Sequence, residues 1–249
     1  MAAVWALMQS FVLIRLLGPR GRLFGPNLWC TEPQPRVALT FDDGPDPRDT
    51  PAILDILRET GVRATFFFVG ERARAYPELV RRAAREGHEC GLHSDTHPWW
   101  FSLAGPRRTH REVRRVLDTL RDLSGTMPRH YRPPMGHKNV FLSDEVTDAG
   151  LEMVTWSVRA FDTRGRSPER IRETLVGRVR PGGIVLLHEG VRRDREGQSP
   201  TVRALRGVIA GLRARDLEPV SLEDLRAPLP APRPGAASTI PEAPTSGRA

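Results

Sequence analysis

The chain is poor in cysteine, nearly free of lysine and without a long uncharged apolar run. Its 249 residues hold 2 cysteines, Cys30 and Cys90, far apart and in no C-x-x-C arrangement, so no thiol-pair motif is present. Nothing in the sequence pairs them, and they leave the redox compartment open. Cys90 sits in a short apolar run and reads as a buried small residue. Lys138 is the only lysine, and the net charge of +8 is carried almost wholly by arginine. That bias has little functional weight in itself. The surplus still favours an anionic partner, such as a phospholipid surface, a lipid-linked phosphate or an acidic polymer. Solvated arginine-rich helix faces are the plainer reading. No basic repeat interleaved with aromatics and no nucleic-acid motif occurs, which argues against nucleic acid as the partner.

Residues 1–17 are mostly apolar but too short for a spanning helix, which needs roughly 20 residues. Their arginines follow the apolar stretch, whereas a secretory signal places its charge before it. An interfacial helix that dips into one leaflet fits this order. A helix packed across the domain or between two copies is the alternative. The expectation is an envelope protein associated with the membrane through its N-terminus, the side unassigned. Residues 1–35 thus read as an apolar helix with a basic connector (18–35), and 36–226 as one folded domain. Residues 227–249, rich in proline and alanine, read as a disordered tail.

Within 36–226, apolar runs and amphipathic stretches alternate with little slack. Strands are expected at 37–42, 64–69, 88–93, 130–134, 152–158, 184–188 and 219–222. Helices are expected at 51–60, 77–86, 107–123, 142–149, 168–179 and 201–215, the first capped by Asp49 or Thr50 and stopped at Gly61. Repetition of this kind implies parallel strands. About seven of them suit a distorted (β/α)7 barrel better than an open two-domain sheet. Asp42, Asp43, His93, Arg132, Asp162 and His188 all fall where strands end. In an α/β barrel those ends converge on the face where chemistry is done.

Residues 37–45 read Val-Ala-Leu-Thr-Phe-Asp-Asp-Gly-Pro. Two adjacent carboxylates ending an apolar strand repel each other, so a bound cation or a transferred proton makes sense of them. A plain strand cap and turn is the bland reading. His93 and His97 are four apart; on a helical turn both rings would share a face and reach one ion. Two imidazoles and a carboxylate form a common divalent-metal set. Arg132 is followed by Pro133 and Pro134, which stiffen the segment, and its guanidinium suits a carboxylate. Trp156-Ser157 precedes Asp162 by a short interval, and His188 ends the run Ile-Val-Leu-Leu.

Taken in order, Thr-Phe-Asp-Asp-Gly-Pro, His-Ser-x-x-His-Pro, Arg-Pro-Pro-x-Gly, Trp-Ser-x-x-x-x-Asp and Leu-Leu-His resemble the motifs of the polysaccharide deacetylases. These are the NodB-homology enzymes, carbohydrate esterase family 4. The likeness runs over residues 36–225. It implies a barrel of about seven β/α units and metal-dependent removal of acetyl groups from amino sugars. Carried over by position, Asp43, His93 and His97 would hold a divalent ion, zinc by preference and cobalt or manganese as alternatives. Asp42 would be the general base, paired with Arg132, and His188 the general acid, oriented by Asp162. The backbone N–H of Met135, which follows Pro133 and Pro134, would face the acetyl oxygen, and Leu187 would wall the acyl pocket. Trp99 and Trp100 would either stack on a sugar face or pack.

The likeness has departures. Arg159 stands where the family often has an acid, and Thr163 where it has a tryptophan that closes the acyl pocket. Met135 replaces a common tyrosine and Glu189 a common aspartate. The expected substrate is an N-acetylated glycan. A lipid-linked sugar at a membrane surface is the first alternative. A non-catalytic sugar-binding module and an amidase of cyclic ureides or imides fit less well.

Overall fold

The apolar run at 37–41 forms the heart of a nine-residue strand, β1 (Arg36–Gly44), the hub of the sheet. In the computed structural model, which describes residues 19–21, 24–191, 193 and 197–228, β1 lies between β2 (Thr65–Phe68) and β7 (Ile184–His188), parallel to both. Beyond β2 follow β3 (Glu89–Leu92), β4 (His130–Tyr131) and β5 (Glu152–Met153); beyond β7 lies β6 (Val158–Arg159). The short β8 (Glu218–Val220) pairs with the start of β1. Every pairing between these strands is parallel. Helices α1 (Asp49–Thr60), α2 (Gly70–Ala75), α3 (Pro77–Arg85), α4 (Pro106–Ser124), α5 (Leu142–Asp148), α6 (Pro168–Arg178), α7 (Pro200–Arg213) and α8 (Leu222–Arg226) intervene. The result is the expected distorted (β/α)7 architecture.

Strand alternation splits the core into two layers. Val37, Leu39, Phe41, Phe66, Phe68, Val185 and Leu187 pack in the larger cluster with the helices. Ala38, Phe67, Ile184, Leu186, Val154 and Trp156 make a smaller cluster on the other face of the strands. Strands buried on both faces need near-continuous apolar runs, and Phe66, Phe67 and Phe68 are each fully buried. Gly91 leaves room for this inner layer: a Cβ there would sit 2.7 Å from the Phe67 ring.

The structure differs from the sequence reading in several places. The single strand expected at 152–158 is two strands, β5 and β6. Between them the chain changes neighbours: Val154 N–H donates to Tyr131 on β4, Thr155 N–H to Leu28, and Ser157 N–H to Ile184 on β7. The gap is filled by the supposed connector. Leu28 bridges Val154, Cys30 bridges Gly183, and the buried Asn27 donates to Thr155 Oγ1 at 2.9 Å. α1 is not capped by Asp49 or Thr50. Asp46 Oδ1 accepts from the Arg48 and Asp49 N–H groups instead, which frees Asp49 to accept from Gly190 N–H at 2.8 Å. Helices α2 and α8, six and five residues long, were not expected; they are too short for a 3.6-residue period to register. Both cysteines are unpaired thiols, Cys90 buried as expected. No helix among the described residues is long and apolar enough to cross a membrane. The apolar segment 1–17 and nearly all of the 227–249 tail lie outside the described residues.

Candidate active site

Alternation should send Asp42 and Asp43 to opposite faces of β1. A bulge prevents this. Asp42 pairs with Phe67 and Gly44 with Phe68, leaving Asp43 as the extra residue with φ of 70°. Asp42 lies on the inner face beside its register partner His188, and the bulge brings Asp43 to the two ring nitrogens described next.

Asp43 Oδ1 lies 3.5 Å from His93 Nε2 and 3.2 Å from His97 Nε2, and one ligand atom from each residue falls within 4.8 Å of the others. The expectation of a helical turn linking the histidines is not met. Residues 93–97 form a tight loop in which Ser94 and His97 both have positive φ, 60° and 50°. The rings approach to 4.9 Å between centroids by that route. The donor set fits a divalent ion. The buried His93 has its Nδ1 2.8 Å from the Arg132 carbonyl, so Nδ1–H donates there and the Nε2 lone pair is left for a cation. Burial, with His97 beside it, holds His93 down at about 3, so its ring is neutral, the form that binds metal.

The 93–97 loop is held by a residue that sequence reading missed. Glu112, buried on α4, accepts from Asp95 N–H and Thr96 N–H, both at 2.8 Å, and from Thr96 Oγ1 at 2.8 Å. Arg108 completes its shell at 2.6 Å. From the other side, Gly70 and Glu71 at the start of α2 donate to the Ser94 and Asp95 carbonyls. The signal was available: Glu112 sits on the buried stripe of α4 with Thr109, Val113, Val116 and Leu120, where a carboxylate is out of place unless it has work to do.

Arg132 is fully buried. Its Nη1 donates to Asp42 Oδ1 at 2.6 Å and Thr40 Oγ1 at 2.8 Å, its Nη2 to the Thr155 carbonyl at 3.1 Å, and its Cζ lies 4.0 Å from the centre of the Phe67 ring. Burial raises the Asp42 carboxyl above its usual range, and Arg132 pulls it part of the way back. His188 has a separate partner. Its Nδ1 is 2.9 Å from Asp162 Oδ1, while Asp162 Oδ2 accepts from His188 N–H at 2.8 Å and Thr201 Oγ1 at 2.9 Å. Burial alone would lower His188; Asp162, with Asp42 and Asp43 at longer range, outweighs it and holds the ring up at about 9.

Asp42, Asp43, His93, His97, Arg132, Asp162 and His188 are therefore joined by direct contacts or strand register. Leu187 is not with them. It faces the helices beside Phe41, its register partner, because His188 takes the inner face and alternation turns its neighbour outward. Leu186 occupies the inner cluster instead. Pro133 is buried beside Arg132, and Met135 has φ of 56° in the turn that follows. Trp99, 76% exposed, does not pack in the core.

The polysaccharide deacetylase family model matches residues 30–154. A chitooligosaccharide deacetylase from Bradyrhizobium sp. (strain ANU 289) is 39% identical, over 73% of this chain and 86% of its own. This chain belongs to the polysaccharide deacetylase family. A peptidoglycan-N-acetylglucosamine deacetylase from Bacillus cereus is 34% identical over 76% of this chain and 67% of its own. Among solved structures, the Bc1960 peptidoglycan N-acetylglucosamine deacetylase superposes with a TM-score of 0.74 at 32% identity, covering 80% of this chain and 91% of that one. The deacetylase family is one of hydrolases acting on non-peptide carbon–nitrogen bonds, and this chain is of that class.

Two outcomes follow from this geometry. Glu112→Ala removes the acceptor that fixes the 95–96 amides, and zinc affinity measured by chelator competition should fall about 10- to 100-fold. An unchanged affinity would show that the loop holds itself. In the metal-free protein, the His188 ring should titrate near 9 by proton NMR, protonated below that pH and neutral above it. In Asp162→Asn the largest raising influence is gone while burial stays, so the midpoint should drop well below that of the wild type, Asp42 and Asp43 still holding it up in part. Identical midpoints would remove Asp162 as the source of the shift.

Proposed function

We propose that the chain removes N-acetyl groups from amino sugars of an N-acetylated glycan, with Asp43, His93 and His97 holding a divalent ion. The observation that carries this reading is the arrangement of two proton-handling groups, Asp42 and His188, side by side in register and each braced by its own partner, next to the three-residue ligand set. Zinc suits two imidazoles and one carboxylate; cobalt or manganese suits the same donors. The chemistry that such an ion supplies is polarisation of a carbonyl and acidification of water.

The chain's own residues handle the protons. Asp42, a carboxylate with raised basicity, takes a proton from water as its oxygen bonds to the acetyl carbon. Arg132 keeps that carboxylate aimed and balances its charge. His188, held as imidazolium by Asp162, gives its proton to the sugar nitrogen as the carbon–nitrogen bond breaks. Acetate and a free amine leave, and the proton on Asp42 returns to solvent or to His188. We assign the Met135 amide to the acetyl oxygen, Leu186 and the buried Pro133 to the walls of the acyl pocket, and the exposed Trp99 to a sugar face.

The deciding experiment measures bound metal and acetate release from an N-acetylglucosamine oligomer. The wild type should hold metal and release acetate. Asp42→Asn should keep the metal and lose about 10²–10⁴-fold in rate. Metal without acetate would move the search to lipid-linked sugars, and no metal at any reasonable zinc concentration would sink the catalytic reading.

Attachment to a membrane through residues 1–17 is a second reading, favoured by their apolar composition and the arginines that follow. In fractionated cells the full chain should sediment with membranes and a chain lacking residues 1–24 should not. A shortened chain that still sediments would end this idea.

A further inference from the structure

Three arginines gather on one ring, that of Phe161, which directly precedes Asp162. The Cζ of Arg159 lies 4.2 Å from the centre of the Phe161 ring, that of Arg166 5.3 Å and that of Arg164 5.4 Å. Arg159 also lies 5.9 Å from the Trp156 ring. All three arginines are exposed. Among the described residues, no carboxylate forms an ion pair with any of them, and Arg166 reaches only the Thr174 hydroxyl, at 3.4 Å. Burial of its inner part and the charge of Arg164 both push Arg159 below its ordinary value. Like charges collected without counter-charges oppose folding. Phe161, itself held at φ of 58°, offsets part of that cost through its ring face and fixes the guanidinium groups.

Register places this cluster beside the chemistry. Arg159 pairs with Leu186 on β7, and Leu186 belongs to the inner layer, so Arg159 stands on the inner face too. His188 is the next inner residue along β7. One strand spacing across and two residues along put the Arg159 and His188 Cα atoms about 8 Å apart. Asp162, the partner of His188, directly follows Phe161 in the chain. A sugar seated between Asp42 and His188 therefore has the guanidinium cluster within reach of its neighbour.

We propose that Arg159, Arg164 and Arg166, gathered on Phe161, form a subsite for an anionic substituent of the glycan, a carboxylate or a phosphate ester, on the sugar adjoining the one that loses its acetyl group. The planar guanidinium offers paired donors to either oxyanion, and stacking on the ring leaves it pre-aimed. The proposal rests on the deacetylase reading for the position of the sugar.

The test compares three probes: a neutral N-acetylglucosamine tetramer, the same tetramer with its primary alcohols oxidised to carboxylates, and its 6-phosphate. KM and kcat for acetate release and equilibrium binding by calorimetry are measured on the metal-loaded protein at low salt. The anionic tetramers should show KM values about tenfold below the neutral one, and the advantage should shrink at about 0.5 M salt. The carboxylate and phosphate arms distinguish the two sources. Arg159→Ala should bring the ratio of neutral to anionic KM to about one, whereas Arg159→Lys should keep part of it. The double variant Arg164→Ala/Arg166→Ala, on an exposed turn, should lower the ratio without touching the strand. A wild-type ratio of one, or a ratio unchanged in Arg159→Ala, overturns the subsite. If no tetramer releases acetate, the reading of a soluble glycan as substrate fails, and the calorimetric ratio decides the subsite alone. Tighter anionic binding that Arg159→Ala abolishes supports it; equal binding overturns it.

Discussion

The site depends on one buried ion pair. Arg132 and Asp42 meet at 2.6 Å with both side chains almost wholly out of water. Taking both charges out of water costs several kcal/mol per ion, and removing either partner alone leaves an uncompensated charge worth about 3–5 kcal/mol. Arg132 meets that cost with Thr40 and Thr155 as acceptors and the Phe67 ring beneath it. Its main chain is used as well: its N–H donates to the Leu92 carbonyl on β3, and its carbonyl fixes the His93 ring. One residue thus fixes the Asp42 carboxylate and the tautomer of His93 together. Moving β4 against β1 would disturb both.

The remaining geometry is held under backbone strain. Of the six non-glycine residues with positive φ among those described, Asp43, Ser94, His97, Met135 and Phe161 belong to the loops of the site, and only Asp216 lies apart. Left-handed conformations cost such residues about 1–3 kcal/mol each and persist only where their surroundings over-determine them. Those surroundings can be named. Glu112 and the first turn of α2 clamp the 93–97 loop from two sides, and the β1 bulge fixes Asp43 between two paired residues. The two prolines before Met135 limit what its turn can do otherwise.

Much of this was legible in the sequence because it follows local rules. Continuous apolar runs marked the strands, and polar residues at their ends marked the rim. Asp42, Asp43, His93, His97, Arg132, Asp162 and His188, all picked out as polar residues at or just past strand ends, lie in one cluster. What escaped depends on distant parts of the chain. The break between β5 and β6 arises because residues 27–31 insert between two strands, and no local pattern in 152–158 announces that. Glu112 was visible as a carboxylate on an apolar stripe, but only the folded loop explains it. Leu187 was misplaced against a rule already in hand: once His188 points inward, Leu186 must share its face.

Asp42 and His188 are register partners, yet each forms its ion pair with a different residue. Arg132 satisfies the carboxylate from the β4 side, and Asp162 satisfies the imidazole at Nδ1. Burial raises the carboxyl, while Asp162 raises the imidazole to about 9. Two neighbouring groups are thus shifted the same way by different causes, the carboxyl by burial and the imidazole by Asp162. The same inner face carries Leu186, with Arg159 beside it in register. The same strand alternation that sets Asp42 opposite His188 therefore sets Arg159 on the face that His188 shares.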